Sequence, residues 1–183
     1  AYGTGTKDNK DSTAGRLGSQ YPNADIKNIS ENGLRLEGLV KKLDKVKEEH
    51  FDLILFQIGA NDIIHFTSSD NIKNLLKASL DIAKVMSPHI IVLTSGNVGL
   101  SPTFKWPFSY VMTIRTKMVR KIFKDEIAQR QRVDYVDLYK DREEDVFLTN
   151  INKYYAKDRF HPSGDGYGIW YSEILTILTK DRK

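Results

Sequence analysis

A three-layer α/β/α sandwich on a parallel sheet is the fold that this 183-residue sequence predicts, and three observations carry the prediction. Short apolar runs at 51–58 (FDLILFQI), 89–95 (HIIVLTS) and 133–138 (VDYVDL) read as strands buried on both faces. Segments with helically spaced apolar residues separate them. Strands alternating with helices of this length require right-handed crossovers, which leave the strands parallel and put helices on both faces. With 40% hydrophobic and 28% charged residues, the chain has the composition of one globular domain over 1–183.

Taken in order, Ser12 is placed to N-cap a short helix from Thr13 to Ser19. A weaker strand is expected at Ala24 to Ser30 (ADIKNIS). Leu36, Leu39, Val40 and Leu43 then share one helix face, while Lys41 to Glu49 mix charge signs as a solvated face does. After the 51–58 run, Ile72, Leu75, Leu76 and Leu80 form the apolar stripe of the next helix. Beyond 89–95, Val111, Ile114, Met118, Ile122 and Phe123 are expected to face the core from a third. The final helix, about Gly166 to Thr179, carries Ile169, Trp170, Ile174, Leu175 and Leu178, with Ser163 as a candidate N-cap.

Composition narrows the function classes. The net charge of +4 is spread along the chain, so nucleic acid is not an expected partner. Absence of cysteine excludes disulfides, thiolate nucleophiles and Cys-ligated metals. His50, His65 and His89 lack ligand spacing, so no metal is expected and they read as surface or structural residues. No apolar run approaches the roughly 20 residues of a membrane span. The N-terminus lacks a signal peptide's basic and apolar regions, and Ala1 in place of Met points to residues upstream; the compartment stays open.

Ligands of open α/β sheets bind beyond the carboxyl ends of the strands, which directs attention to three loops. Asn28 to Gly33 comes after the weak strand. Gly33 is expected to open the next helix with backbone N–H groups toward an anion, or to serve backbone geometry alone. Gly59-Ala60-Asn61-Asp62 sets a carboxamide on a turn after the strongest strand, where Asn61 can donate to an oxyanion or merely favour the turn. Asp158-Arg159-Phe160-His161 puts a carboxylate three residues before an imidazole, so Asp158 can accept from Nδ1–H and leave Nε2 as a base. Phe104, Trp106 and Phe108, and Phe66 beyond Asn61, suit either the wall of an apolar acyl pocket or packing on the core.

In order and position these blocks resemble the SGNH hydrolases, the GDSL lipase and esterase family, over nearly the whole chain. The resemblance implies a flavodoxin-like parallel sheet, an acyl ester as small-molecule substrate, no cofactor, and attack by a serine. It implies His161 as general base oriented by Asp158, and Gly33 and Asn61 as oxyanion donors. The family's Gly-Asp-Ser block is absent from the sequence, and Ala1-Tyr2-Gly3-Thr4-Gly5 looks like the stretch that comes directly after that block in family members. The serine and the first strand are therefore expected before Ala1. Asp11-Ser12-Thr13 fails as a substitute because Lys10 replaces the glycine and no strand precedes it. The other hydrolase signature, G-x-S-x-G, is absent too. Two alternatives remain: a catalytically silent relative that binds an acylated ligand or partner, and a flavodoxin-like nucleotide-binding module. Gly3-Thr4-Gly5 disfavours the second, lacking both G-x-G-x-x-G spacing and a preceding strand.

Overall fold

A computed structural model describes residues 3–179. Along the chain run α1 (Thr13–Gln20), α2 (Leu36–Val46), β1 (Ile54–Gln57), α3 (Ala60–Ile64), α4 (Ser69–Met86), β2 (Ile90–Leu93), α5 (Phe108–Ile127), β3 (Val133–Val136), α6 (Val146–Thr149), α7 (Ile151–Tyr154) and α8 (Gly164–Leu178). The described residues fall into two compact units: 3–32, 100–109 and 140–179 form one, and 33–99 and 110–139 the other.

The second unit holds the sheet, three parallel strands in the order β1-β2-β3. Ile54 pairs with Ile90, and Ile90 in turn with Val133. The central strand explains its own sequence: Ile90, Ile91, Val92 and Leu93 are all buried, so no position tolerates a polar side chain. The edge strands carry Gln57 and Asp134, which the half-buried margins accept. All three predicted apolar runs thus become strands.

Around the sheet, α2 packs on α4 through the predicted stripes. Leu36, Leu39 and Leu43 of α2 and Ile72, Leu76 and Leu80 of α4 are all buried. On α5 the prediction is rotated. The buried line is Met112, Thr116, Val119, Phe123 and Ile127, spaced i, i+4, i+7, i+11 and i+15, while Val111 and Ile114 face solvent. The sequence concealed this because Thr116 counts as polar, yet its hydroxyl donates to the Met112 carbonyl at 2.7 Å and is buried at no cost in unpaired groups.

The first unit is helical. α1 begins where expected, Ser12 Oγ accepting from Gly15 N–H at 3.0 Å. Arg16 on α1 donates to the Gly164 carbonyl at 2.9 Å and so ties α1 to the first turn of α8. On α8 the buried line is Tyr167, Tyr171 and Ile174, with Ile169, Trp170, Leu175 and Leu178 only partly covered. The strand expected at Ala24 to Ser30 does not form: the segment is irregular and largely exposed. Its two large apolar residues, Ile26 and Ile29, are three apart and so would point to opposite faces of a strand.

Candidate active site

In the first unit, the loop before α8 carries the imidazole and carboxylate. Its base is an antiparallel bridge between Tyr155 and Pro162, with Ala156 N–H donating to the His161 carbonyl at 2.8 Å. Arg159 turns the chain with φ +57°, the left-handed region. That turn brings His161 Nδ1 to 2.6 Å from Asp158 Oδ2. Asp158 Oδ1 accepts from the backbone N–H of Phe160 at 2.9 Å and of His161 at 3.0 Å. Burial pushes the Asp158 carboxyl up, but the bonds from the His161 ring and from these two N–H groups outweigh it and hold its pKa below the usual carboxylate value. The ionised carboxylate only accepts, so the proton of a neutral His161 sits on Nδ1 and Nε2 is basic.

Other groups of the same unit fix the loop. Ser101 Oγ donates to the Arg159 carbonyl at 2.8 Å, and Thr103 Oγ1 to the Asp158 carbonyl at 3.2 Å. Phe160 meets the His161 ring edge-on, centroids 5.0 Å apart, and meets Phe104 in the same manner at 5.9 Å. At Gly5 any side chain is excluded: its first carbon would lie 2.6 Å from the Pro162 carbonyl oxygen and 3.1 Å from His161 Cβ, on a backbone with φ +98°. Ser101, Thr103, Phe160 and Gly5 carry no catalytic signature in sequence, and only contacts across the fold single them out. Of the opening segment, Ala1 and Tyr2 lie outside the described residues.

The second unit carries Gly33 and Asn61. Asn61 stands in the first turn of α3, directly beyond β1 as predicted. One carboxamide N–H of Asn61 is donated to the Leu34 carbonyl at 3.1 Å, and the carboxamide carries a second N–H. Gly33 does not open a helix, contrary to expectation. It occupies a turn with φ +75°, and α2 starts at Leu36, whose N–H is capped by Asp62 Oδ2 at 3.0 Å. A carboxylate from another element replaces a local cap, which the sequence around Gly33 does not show.

Asp62 is buried and also accepts from Thr67 Oγ1 at 3.1 Å. Burial raises its pKa, with the Leu36 N–H, the Thr67 hydroxyl and the Arg35 charge opposing. Replacing Asp62 by alanine is expected to lower stability by about 1–3 kcal/mol, because the Leu36 N–H loses its partner inside the protein. A urea midpoint equal to wild type would refute this.

The four aromatics named from sequence part ways. Phe104 is half-buried against Phe160 in the first unit. Trp106 and Phe108 are 83% and 64% exposed, so they do not pack on a core. Phe66, in the second unit, is exposed with φ +55° and lies under the Arg115 guanidinium at 4.6 Å. His89 is structural, its Nε2 2.8 Å from Asp134 Oδ2. No cluster of metal-binding side chains occurs among the described residues, and none of their helices is long and apolar enough to cross a membrane.

Among solved structures, a lipolytic protein of the G-D-S-L family from Veillonella parvula DSM 2008 superposes with TM-score 0.68 at 16% identity, covering 94% of this chain and 90% of its own. A family 3 carbohydrate esterase from Clostridium thermocellum gives 0.61 at 17%, covering 93% and 87%. LAE5, an α/β-hydrolase enzyme from the metagenome of Lake Arreo, Spain, gives 0.66 at 14%, covering 96% and 87%. These likenesses establish the fold, an α/β sandwich of the SGNH hydrolase kind. No curated protein is similar enough in sequence to match. The sequence profile of the GDSL-like lipase/acylhydrolase family matches residues 1–169, and the chain belongs to that family.

Proposed function

We propose that the protein is a carboxylic ester hydrolase that works through a serine acyl-enzyme. The observation that carries this reading is the Asp158–His161 pair, oriented with Nδ1 on the carboxylate at 2.6 Å, in a member of a lipase and acylhydrolase family. His161 Nε2 takes the serine proton, and the alkoxide attacks the ester carbonyl. The alcohol leaves with the proton from His161, and water then releases the acid by the same base. The Gly33 N–H and the Asn61 carboxamide are the oxyanion donors in this reading, together with the serine's own N–H.

The serine of this reading belongs to a Gly-Asp-Ser block, and residues 1–183 contain no such block. Ser12 is unsuited to nucleophilic attack, because it is buried, its hydroxyl donates to the Asn9 carbonyl at 2.7 Å, and it caps α1. Determining the encoded residues before Ala1 tests the proposal directly. A Gly-Asp-Ser there supports it, whereas an unrelated stretch leaves a silent relative that binds acylated ligands.

Protein carrying the serine is expected to hydrolyse short p-nitrophenyl esters. Asn61→Ala is expected to lower kcat about 10²- to 10³-fold with little change in KM, since an oxyanion donor acts mainly in the transition state. A loss confined to KM would show that Asn61 only binds substrate. Rates across acyl chain lengths and acetylated sugars would define the preferred ester.

A further inference from the structure

The turn that carries His161 contains a residue that its backbone does not favour. Arg159 adopts φ +57°, in the left-handed region where a side chain crowds its own backbone and glycine or asparagine is the usual occupant. Both of its main-chain polar groups are engaged: the N–H donates to the Ala156 carbonyl at 2.9 Å, and the carbonyl accepts from Ser101 Oγ at 2.8 Å. The turn therefore needs only the backbone of residue 159. Arg159 is exposed, and its guanidinium has no hydrogen bond or ion pair among the described residues. Strained conformations of this kind cluster where a side chain serves a site.

Positive charge surrounds this position without compensation. Lys157, two residues earlier, is exposed. The 103–105 segment lies against the same turn, with Thr103 Oγ1 bonded to the Asp158 carbonyl and the Phe104 ring against that of Phe160, and it continues into exposed Lys105. Neither lysine has an acidic partner among the described residues. Asp158 is the sole Asp or Glu from 146 to 164, and none occurs from 101 to 109. Its carboxylate is already occupied by the His161 ring and two backbone N–H groups. All of these residues belong to the first unit. The Cα atoms of Arg159 and His161 are separated by at most about 7.6 Å, within the span of one small ester molecule.

We propose that Arg159 selects esters that carry a carboxylate a few bonds from the scissile carbonyl, with Lys105 and Lys157 raising the local positive potential; this rests on the esterase reading of the Asp158–His161 pair. A guanidinium presents a planar fork that bonds a carboxylate through two N–H groups at once. The surrounding charge draws anions toward the loop, an effect that salt screens. The substrate carboxylate is remote from the reacting carbon and gains no charge in the transition state. Its binding therefore lowers KM and leaves kcat alone.

The test compares matched esters in protein that carries the serine. Mono-p-nitrophenyl adipate against its methyl ester puts the charge on the acyl side, and p-acetoxyphenylacetate against its methyl ester puts it on the alcohol side. In at least one pair, kcat/KM is expected to favour the anion about tenfold, through KM, with the preference shrinking in added salt. Arg159→Gly, which suits the left-handed turn and should not lower the urea midpoint, is expected to bring that ratio close to one, and Arg159→Lys to keep part of it. No preference in either pair, or a preference that Arg159→Gly leaves unchanged, would overturn the assignment while ester hydrolysis stands. A fall in kcat shared by charged and neutral esters would also overturn it, assigning Arg159 to loop geometry. Binding is measured separately from turnover, by titrating monomethyl adipate into the isotope-labelled chain and following the Arg159 Nε–H resonance. Arg159→Gly should weaken this binding about tenfold, and dimethyl adipate should bind about tenfold more weakly than the monoester. If this binding holds while no ester is hydrolysed, the anion site stands and the esterase reading fails. Equal binding of the two adipates, or none, would remove the site.

Discussion

Replacing His161 by alanine, in protein that carries the nucleophilic serine, is expected to reduce kcat for a p-nitrophenyl ester by about 10⁴-fold or more. Without the imidazole a serine hydroxyl keeps its proton at neutral pH, and no other imidazole stands on the Asp158–His161 loop. The fold should survive. The His161 side chain is 30% exposed, and the loop keeps its backbone bonds from Ala156 to the residue 161 carbonyl and from residue 161 N–H to Asp158. A urea midpoint close to wild type would therefore accompany the lost activity. Turnover that persists in this variant would show that another group is the base and would remove the central assignment.

Replacing Asp158 by asparagine is expected to cost about 10²- to 10⁴-fold in kcat. The geometry dictates how. Oδ1 accepts two backbone N–H groups, so the carboxamide oxygen takes that place and the amide NH₂ turns toward Nδ1. A donor opposite Nδ1 selects the tautomer with its proton on Nε2, which cannot then accept one from serine. The lower part of the range is included because the Asp158 side chain is 47% exposed, where water screens the loss of charge.

The same substitution has a pH signature. The folded Asp158 pKa is depressed, mainly by bonds that overcome burial. Its stabilising contribution is present above the ordinary carboxylate value and is lost as pH falls through the lowered one. Stability of Asp158→Asn should accordingly fall less between neutral and acid pH than that of wild type. Parallel pH–stability curves from urea unfolding would contradict the assignment of a depressed pKa.

The three strands, the capped α1, the helical stripes of α2 and α4, and the Asp158–His161 pair are legible along the chain alone. Each of these is local: hydrophobic periodicity, a cap or a three-residue spacing is written within a short stretch of residues. Other features exist only once the chain is folded. The weak strand at Ala24 to Ser30 does not form, because a strand needs a ladder that its own residues do not encode. The buried face of α5 is the Met112–Thr116–Val119–Phe123 line because a hydroxyl bonded to its own helix packs as well as an apolar group. Gly33 sits in a turn, and α2 begins only at Leu36, where Asp62, distant in sequence, supplies the cap. The loop bearing His161 is held by Ser101, Thr103 and the closeness of Gly5, partners that no spacing along the chain reveals. Contacts between residues far apart in sequence depend on where the fold carries them, and a pattern read along one segment contains no record of that.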